Sequence, residues 1–167
     1  MQTKDDDRLR AGSGWWSLPN WFVERWQLRA LIVDDDTIGS RLLAKFLSPY
    51  GQCDLVTDGL EAINAFVLAS TEKRPYDVVF LDIMMPVMDG HETLRMIRQL
   101  ENKDCISERN RVKVIMITGS TERDHIIRAA VDKCSAYLVK PVQKGKVLEK
   151  LKTLGLVPDD SENGWFE

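Results

Sequence analysis

Val78-Val79-Phe80-Leu81-Asp82-Ile83-Met84-Met85-Pro86-Val87-Met88-Asp89-Gly90 is an apolar run that ends in a carboxylate and continues into a loop. A second apolar run, Ala30-Leu31-Ile32-Val33, ends in Asp34-Asp35-Asp36. Continuous apolar runs are typical of parallel strands that are buried on both faces. Ligands of an open parallel sheet bind beyond the carboxyl ends of its strands. The two runs therefore predict a group of carboxylates at one edge of a parallel sheet.

Strand and helix patterns alternate along the whole chain, which predicts an α/β fold. The predicted strands cover residues 29–33, 53–57, 77–81, 112–117 and 136–139. The predicted helices cover residues 37–47, 90–100, 121–132 and 142–154. Another helix, which Asp58 could cap, carries Leu60, Ile63, Ala65, Phe66 and Val67. The first helix carries Ile38, Leu42, Leu43 and Phe46 on one face at helical spacing. This pattern suits a doubly wound five-stranded parallel sheet of order 2-1-3-4-5, with its switch point between strands one and three.

Two more polar groups follow the later strands. Thr118 directly follows the fourth predicted strand, and Lys140 directly follows the fifth. Clustered acids repel one another, and a hard cation with oxygen ligands such as Mg²⁺ relieves that repulsion. Acids for a metal, a carboxylate acceptor, a hydroxyl and a lysine together indicate phosphoryl-transfer chemistry at this edge.

Composition narrows the classes of function. The chain has 167 residues, 44% of them apolar, which suits one domain with short extensions. The net charge of −3 gives no reason to expect direct nucleic-acid binding. Cys53, Cys105 and Cys134 lack zinc-ligand spacing, which indicates a reducing, cytoplasmic compartment. Membrane contact is not expected, because no apolar run approaches the roughly 18 residues of a span, and residues 1–10 lack the apolar region of a signal peptide.

Blocks of the chain resemble the CheY-like receiver domain of two-component response regulators. The matching blocks are Val33-Asp34-Asp35-Asp36, Leu81 through Gly90, Ile117-Thr118-Gly119 and Tyr137-Leu138-Val139-Lys140-Pro141. The resemblance covers residues 29–154 and implies a flavodoxin/CheY-like fold. It also implies a phosphorylation-dependent switch that takes a phosphoryl group from a sensor histidine kinase or a histidine phosphotransfer protein. A downstream protein effector would then read the state of the switch.

The resemblance also assigns roles to single residues. Asp82 is implied as the phosphoacceptor and as a metal ligand. Asp34, Asp35 and the backbone carbonyl of Met84 are implied as the other ligands of Mg²⁺, with Mn²⁺ as a substitute. The implied chemistry is limited to Mg²⁺-dependent self-phosphorylation and self-dephosphorylation of the receiver aspartate, so no enzyme acting on a separate substrate is expected.

Three further positions complete the implied switch. Thr118 would donate a hydrogen bond to a phosphoryl oxygen, and Lys140 would pair first with Asp82 and then with the phosphoryl group. Tyr137 matches the aromatic position that moves inward as Thr118 shifts. Phosphorylation adds charge and acceptor oxygens, which bias a loop between two states.

A haloacid-dehalogenase-like phosphatase is the alternative hypothesis. Asp34-Asp35-Asp36-Thr37 matches the D-x-D-x-T opening of that family, with Asp34 as nucleophile and Asp36 as acid/base. This hypothesis leaves Asp82 unexplained, and its second acid pair would have to come from the short tail at Pro158-Asp159-Asp160.

The remaining polar residues near these motifs have simpler interpretations. Asp36 and Asp89 precede helices and are expected to act at the helix N-termini. His91 and His125 are expected on exposed helix surfaces, and neither lies in a phosphohistidine motif.

The two ends lie outside the receiver-like residues 29–154. Residues 1–28 contain Trp15, Trp16, Trp21 and Trp26, and residues 155–167 form a short acidic tail. Trp15, Leu18, Phe22 and Trp26 follow helical spacing. Three interpretations stay open for this extension: an element packed on the domain, a segment that docks a partner or forms a dimer, and a membrane-interface anchor. A stand-alone receiver and part of a longer hybrid kinase are both compatible with the chain.

Overall fold

A computed structural model of the chain describes residues 27–119 and 134–158. Its strands are β1 (Leu28–Val33), β2 (Gly51–Val56), β3 (Val78–Asp82), β4 (Lys113–Thr118) and β5 (Ala136–Val139). Its helices in these ranges are α1 (Thr37–Leu47), α2 (Gly59–Thr71), α3 (Gly90–Lys103) and α4 (Lys144–Thr153), with a 3₁₀ turn at Glu108–Asn110. The predicted helix at residues 121–132, the tryptophan-rich residues 1–26 and residues 159–167 lie outside the described part.

The sheet has five strands in the order β2-β1-β3-β4-β5, and every pair of neighbours is parallel. The doubly wound order predicted from the sequence is therefore confirmed. Val33 pairs with Leu81, and Asp82 pairs with Ile117, so β1, β3 and β4 reach the same edge together. Thr118 pairs with Val139, which brings the end of β5 to that edge as well.

The central strands are apolar between their ends because helices cover both faces of the sheet. One face packs Leu31, Val33, Val79 and Leu81 under α2 and α3, and the other packs Ala30, Ile32, Phe80 and Ile117 under α1 and α4. All of these side chains are at most 1% exposed. Burial of each large aliphatic or aromatic side chain stabilises the fold by about 1.5–3 kcal/mol. The core continues beyond α4, where Val157 is also buried.

Aspartates cap the helices that follow the first three strands. Asp36 accepts a hydrogen bond from the Ile38 amide at 3.0 Å, and Asp58 accepts one from Glu61 at 2.9 Å. Asp89 accepts the corresponding bond from Glu92 at 2.8 Å. A cap of this kind contributes about 1 kcal/mol because it satisfies an amide that has no partner within the helix. The predicted N-terminal roles of Asp36 and Asp89 are confirmed.

Two side-chain environments differ from what the sequence indicates. Ile38 is 80% exposed and Leu42 is 47% exposed, although both share an apolar face of α1 with the buried Leu43. The contact of α1 with the sheet is centred on Leu43 and Leu47, so the neighbouring side of the helix remains in solvent. The expectation for His91 is wrong, because its side chain is 5% exposed. The first turn of α3 packs against the end of β3, which buries that position.

None of the helices in residues 27–119 and 134–158 has both the length and the apolarity needed to cross a bilayer.

Candidate functional site

Three carboxylates meet at the edge where β1 and β3 end. Asp34 directly follows β1 and Asp82 is the last residue of β3, and the two residues are 4% and 3% exposed. Asp35 is exposed beside them. One oxygen from each of Asp34, Asp35 and Asp82 lies within 4.8 Å of the other two. The parallel sheet creates this cluster, because it brings acids that are distant in sequence to one edge.

Lys140 brings a positive charge to the same edge. The Lys140 amide donates to the Thr118 carbonyl at 2.7 Å, which ties the residue after β5 to the end of β4. Its ammonium Nζ lies 2.9 Å from Asp82 Oδ2 and 3.0 Å from Asp34 Oδ2. One lysine therefore bridges the two buried carboxylates.

Backbone amides fix the orientation of both buried carboxylates. The Asp36 amide donates to Asp34 Oδ1 at 2.9 Å, and the Met84 amide donates to Asp82 Oδ1 at 3.2 Å. Asp82 accepts from the Met84 amide with one oxygen and from Lys140 with the other. Asp34 Oδ1 accepts from both the Asp36 amide and Lys140 Nζ, the latter at 3.2 Å. Such hydrogen bonds hold a carboxylate in one rotamer, which preorganises it for chemistry.

The electrostatics favour an additional cation. Burial raises the pKa of the Asp82 carboxyl above its ordinary value, and the charge of Asp34 acts in the same direction, whereas Lys140 and the Met84 amide oppose the shift. Burial alone would lower the pKa of Lys140, but the hydrogen bonds and charges of Asp82 and Asp34 outweigh it, and this pKa is raised. Lys140 offsets only one of the two buried negative charges that it contacts. A divalent cation with oxygen ligands fits this excess.

The loop that follows Asp82 is held against the strand by Gly90. The Gly90 amide donates to the Ile83 carbonyl at 3.0 Å and closes the loop. A Cβ at position 90 would lie 2.2 Å from the Asp82 carbonyl oxygen, so only glycine allows α3 to start this close to β3. Within the loop, Val87 has a φ of 69° and is 87% exposed. A β-branched residue is strained in this left-handed region.

Thr118 and Tyr137 occupy different environments. Thr118 ends β4 at the carboxylate edge and is 3% exposed. Tyr137 is the second residue of β5, pairs in register with Met116, and is 44% exposed. The structure thus brings Asp34, Asp35, Asp82 and Lys140 together and places Thr118 at the same edge. Tyr137 lies on the outer strand, and its role as a switch stays a prediction.

An apolar surface surrounds the charged cluster, and the sequence did not reveal it. Ile38, Met84 and Val87 are 80%, 68% and 87% exposed. A cavity of about 510 Å³ beside the cluster is lined by Asp34, Lys140 and apolar residues of α1 and the β5–α4 loop. Exposed apolar surface of this kind marks binding sites for other molecules. Helical spacing could not identify it, because the spacing does not show how α1 is rotated against the sheet.

The sequence of the chain matches the family model described as the response regulator receiver domain, over residues 30–152. The chain belongs to this family. Solved structures with the same fold also match the chain. CheY4 of Vibrio cholerae, a chemotaxis protein, has a TM-score of 0.63 at 24% identity, over 77% of this chain and 98% of that chain.

A second solved structure is the receiver domain of the response regulator Ssk1 of Saccharomyces cerevisiae, crystallised with the histidine phosphotransfer signaling protein Ypd1. It has a TM-score of 0.67 at 25% identity, over 77% of this chain and 89% of that chain. Among curated relatives, the hybrid signal transduction histidine kinase L of Dictyostelium discoideum is 30% identical over 76% of this chain. The transcription factor SKN7 of Candida albicans is 31% identical over 81% of it. The matches span only 7% and 22% of these two proteins.

Proposed function

We propose that Asp82 accepts a phosphoryl group from phosphohistidine and that the protein is a switch read by other proteins. The carboxylate of Asp82 carries this proposal, because it is buried at the end of β3 and lies 2.9 Å from Lys140. In the transfer, a carboxylate oxygen of Asp82 attacks phosphorus, and the phosphorus–nitrogen bond of the donor breaks. The donor imidazole keeps the electron pair of that bond.

The surrounding residues have supporting roles in this proposal. Lys140 pairs with the Asp82 carboxylate before the transfer and with the phosphoryl oxygens after it. The Thr118 hydroxyl donates a hydrogen bond to one of these oxygens. Asp34, Asp35, Asp82 and the Met84 carbonyl would hold Mg²⁺ or Mn²⁺. The metal would neutralise charge on the transferring group. One oxygen from each of the three carboxylates lies within 4.8 Å of the other two, which supports this ligand set.

The donor and the readers of the switch are proteins in this proposal. The crystallised complex of the Ssk1 receiver with Ypd1 supports a histidine phosphotransfer protein as donor, and the hybrid-kinase relative supports a sensor histidine kinase. The apolar surface around the carboxylates is suited to a protein partner. Phosphorylation would shift Thr118 and Tyr137, and a downstream effector would bind the altered surface. We place the protein in the cytoplasm, where such donors present phosphohistidine.

The phosphatase hypothesis is not favoured. It requires Asp36 as a free acid/base, but the Asp36 carboxylate caps α1 by accepting from the Ile38 amide at 3.0 Å. It also requires Asp34 as a free nucleophile, and this carboxylate bridges the Asp36 amide and Lys140.

Intact-mass measurement after incubation with acetyl phosphate and Mg²⁺ tests the acceptor. We expect one added phosphoryl group in the native chain, none in Asp82→Asn, and full labelling in the control Asp36→Asn. Labelling that survives Asp82→Asn and disappears with Asp34→Asn would overturn the assignment in favour of the phosphatase hypothesis.

A phosphorylated histidine phosphotransfer protein, prepared with radioactive phosphate, tests the donor class. Label should move to the native chain within the mixture and should not move to Asp82→Asn. If acetyl phosphate labels Asp82 while phosphohistidine carriers and histidine kinases do not, the acceptor would stand and the donor class would be wrong.

A further inference from the structure

Helix α2 exposes three large apolar side chains, beside the polar Asn64 and Thr71, on the side that faces away from the sheet. Leu60, Val67 and Leu68 are 51%, 44% and 58% exposed. Their spacing of seven and eight residues places them on one side of the helix. The opposite side is already used, because Ala62, Ile63 and Ala69 are buried in the core. Three neighbouring large apolar side chains on a solvated side of a helix indicate a surface that another element can cover.

The described chain begins close to the last turn of α2. Helix α2 follows β2 and runs back to the edge where the strands start, so its end lies near the start of β1. Arg29 confirms the proximity, since its guanidinium donates to the Arg74 carbonyl and its own carbonyl accepts from the Asp77 amide at 2.9 Å. Residues 1–26 are therefore attached beside the end of the exposed apolar side of α2.

The sequence before β1 has the composition that this surface needs. Trp15, Leu18, Phe22 and Trp26 follow helical spacing, and residues 15–26 contain only two charged side chains, Glu24 and Arg25. Pro19 can only start a helix, and eight residues from Pro19 to Trp26 would make one about 12 Å long. Residues 15–18, extended before it, would add about 13 Å, whereas α2 with its 13 residues is about 20 Å long. The segment is therefore long enough to run the length of α2.

We propose that residues 15–26 dock along the outer side of α2 and bury Leu60, Val67 and Leu68. The cavity beside Asp34 and Lys140 is another apolar surface in the described residues, but it is lined by α1 and the β5–α4 loop, on the other face of the sheet from α2. Docking on α2 leaves the carboxylate cluster open to phosphodonors and makes the N-terminal segment part of the folded unit.

Tryptophan fluorescence of the full chain tests this docking directly. All five tryptophans lie outside residues 27–158, and Trp165→Phe leaves only the four in the N-terminal segment as reporters. We expect their emission to be blue-shifted, and their quenching by acrylamide reduced, relative to the same protein in concentrated urea. In this background, Leu60→Gln combined with Leu68→Gln should shift emission to the red and increase quenching. The single Leu68→Gln should do so partially.

Leu42→Gln is the matched control, because Leu42 is similarly exposed but lies on α1 across the sheet. It should leave the tryptophan emission unchanged. Circular dichroism and labelling by acetyl phosphate would show that each variant is folded. Emission as red in the native state as in urea would overturn the proposal, and so would a shift in Leu42→Gln without one in the α2 variants. Protection that disappears on dilution would also overturn it, because a second copy of the chain would then be the cover.

Discussion

Two lysine–carboxylate pairs of equal length differ in how much water surrounds them. Lys140 Nζ lies 2.9 Å from Asp82 Oδ2, and the two side chains are 30% and 5% exposed. Lys146 Nζ lies 2.9 Å from Glu149 Oε2, and these side chains are 64% and 51% exposed. Water screens the second pair and solvates each of its members separately. Removing one member of a buried pair instead leaves a charge that has lost its solvation.

We therefore expect Lys140→Ala to lower the free energy of unfolding by about 1–3 kcal/mol at neutral pH without Mg²⁺. The two buried carboxylates of Asp34 and Asp82 would then repel each other without a countercharge. Lys146→Ala is the control and should have little effect. Urea denaturation measures both, and added Mg²⁺ should recover part of the loss in Lys140→Ala only. Equal effects of the two substitutions would contradict this account.

Tyr76 provides a prediction about pH. Its hydroxyl donates to Asp54 Oδ2 at 2.7 Å, and burial, followed by that hydrogen bond and the Asp54 charge, raises its pKa to about 12. A tyrosine in an unfolded chain titrates near 10. Its contribution to stability is therefore complete below about pH 10 and is lost as the pH rises through about 12. Spectrophotometric titration of the native chain minus Tyr76→Phe should show one phenol with this late transition, and a difference curve centred near 10 would show the assignment to be wrong.

At the scale of elements, the start of α3 depends on a single missing side chain. A Cβ on Gly90 would lie 2.2 Å from the backbone oxygen of Asp82, whereas a Cβ on Gly145, in α4, would meet nothing within 4 Å. These two glycines, both at the beginning of a helix, therefore form a matched pair for substitution by alanine.

We expect Gly90→Ala to lower the melting temperature and to slow labelling by acetyl phosphate, because α3 must move away from the strand that carries Asp82. Gly145→Ala should stabilise the chain by up to about 1 kcal/mol, since alanine loses less backbone entropy in a helix. Thermal unfolding and the time course of labelling measure the two effects. Labelling that is as fast in Gly90→Ala as in the native chain would show that the loop does not position Asp82.

The bounds of some helices and strands were predicted from the sequence more accurately than those of others. The bounds of α1 and β5 match the prediction, because Asp36 marks the start of α1, Pro49 follows its end, and a short apolar run marks β5. Other strands shift by one or two residues, since an apolar run does not show where its ladder of hydrogen bonds begins. The burial of His91 could not be predicted, because it depends on how closely α3 approaches β3.

At the scale of the whole molecule, the site was predictable because topology creates it. Once β1 and β3 are neighbours in a parallel sheet, Asp34 and Asp82 must meet at one edge. The bridging position of Lys140 follows from the end of β5 at the same edge. The apolar surface around these charges was not predictable, because the exposure of a side chain such as Ile38 depends on how α1 is rotated against the sheet.

Metal binding at the carboxylate cluster should stabilise the whole fold. Substitutions of two adjacent aspartates distinguish this stabilisation by the metal from the stabilisation by the cap of α1. A ligand that binds only the folded state stabilises it, by about 2.7 kcal/mol at a hundred times its Kd. Asp35 contributes an oxygen to the carboxylate cluster, whereas Asp36 caps α1. Asp35→Ala should therefore abolish most of the rise in melting temperature with Mg²⁺ while leaving the metal-free value unchanged or higher, because one repelling charge is gone. Asp36→Ala should lower the metal-free stability by about 1 kcal/mol and keep the response to Mg²⁺. Thermal unfolding of both variants across a Mg²⁺ titration distinguishes these outcomes, and equal losses of the Mg²⁺ response would show that the ligand set is misassigned.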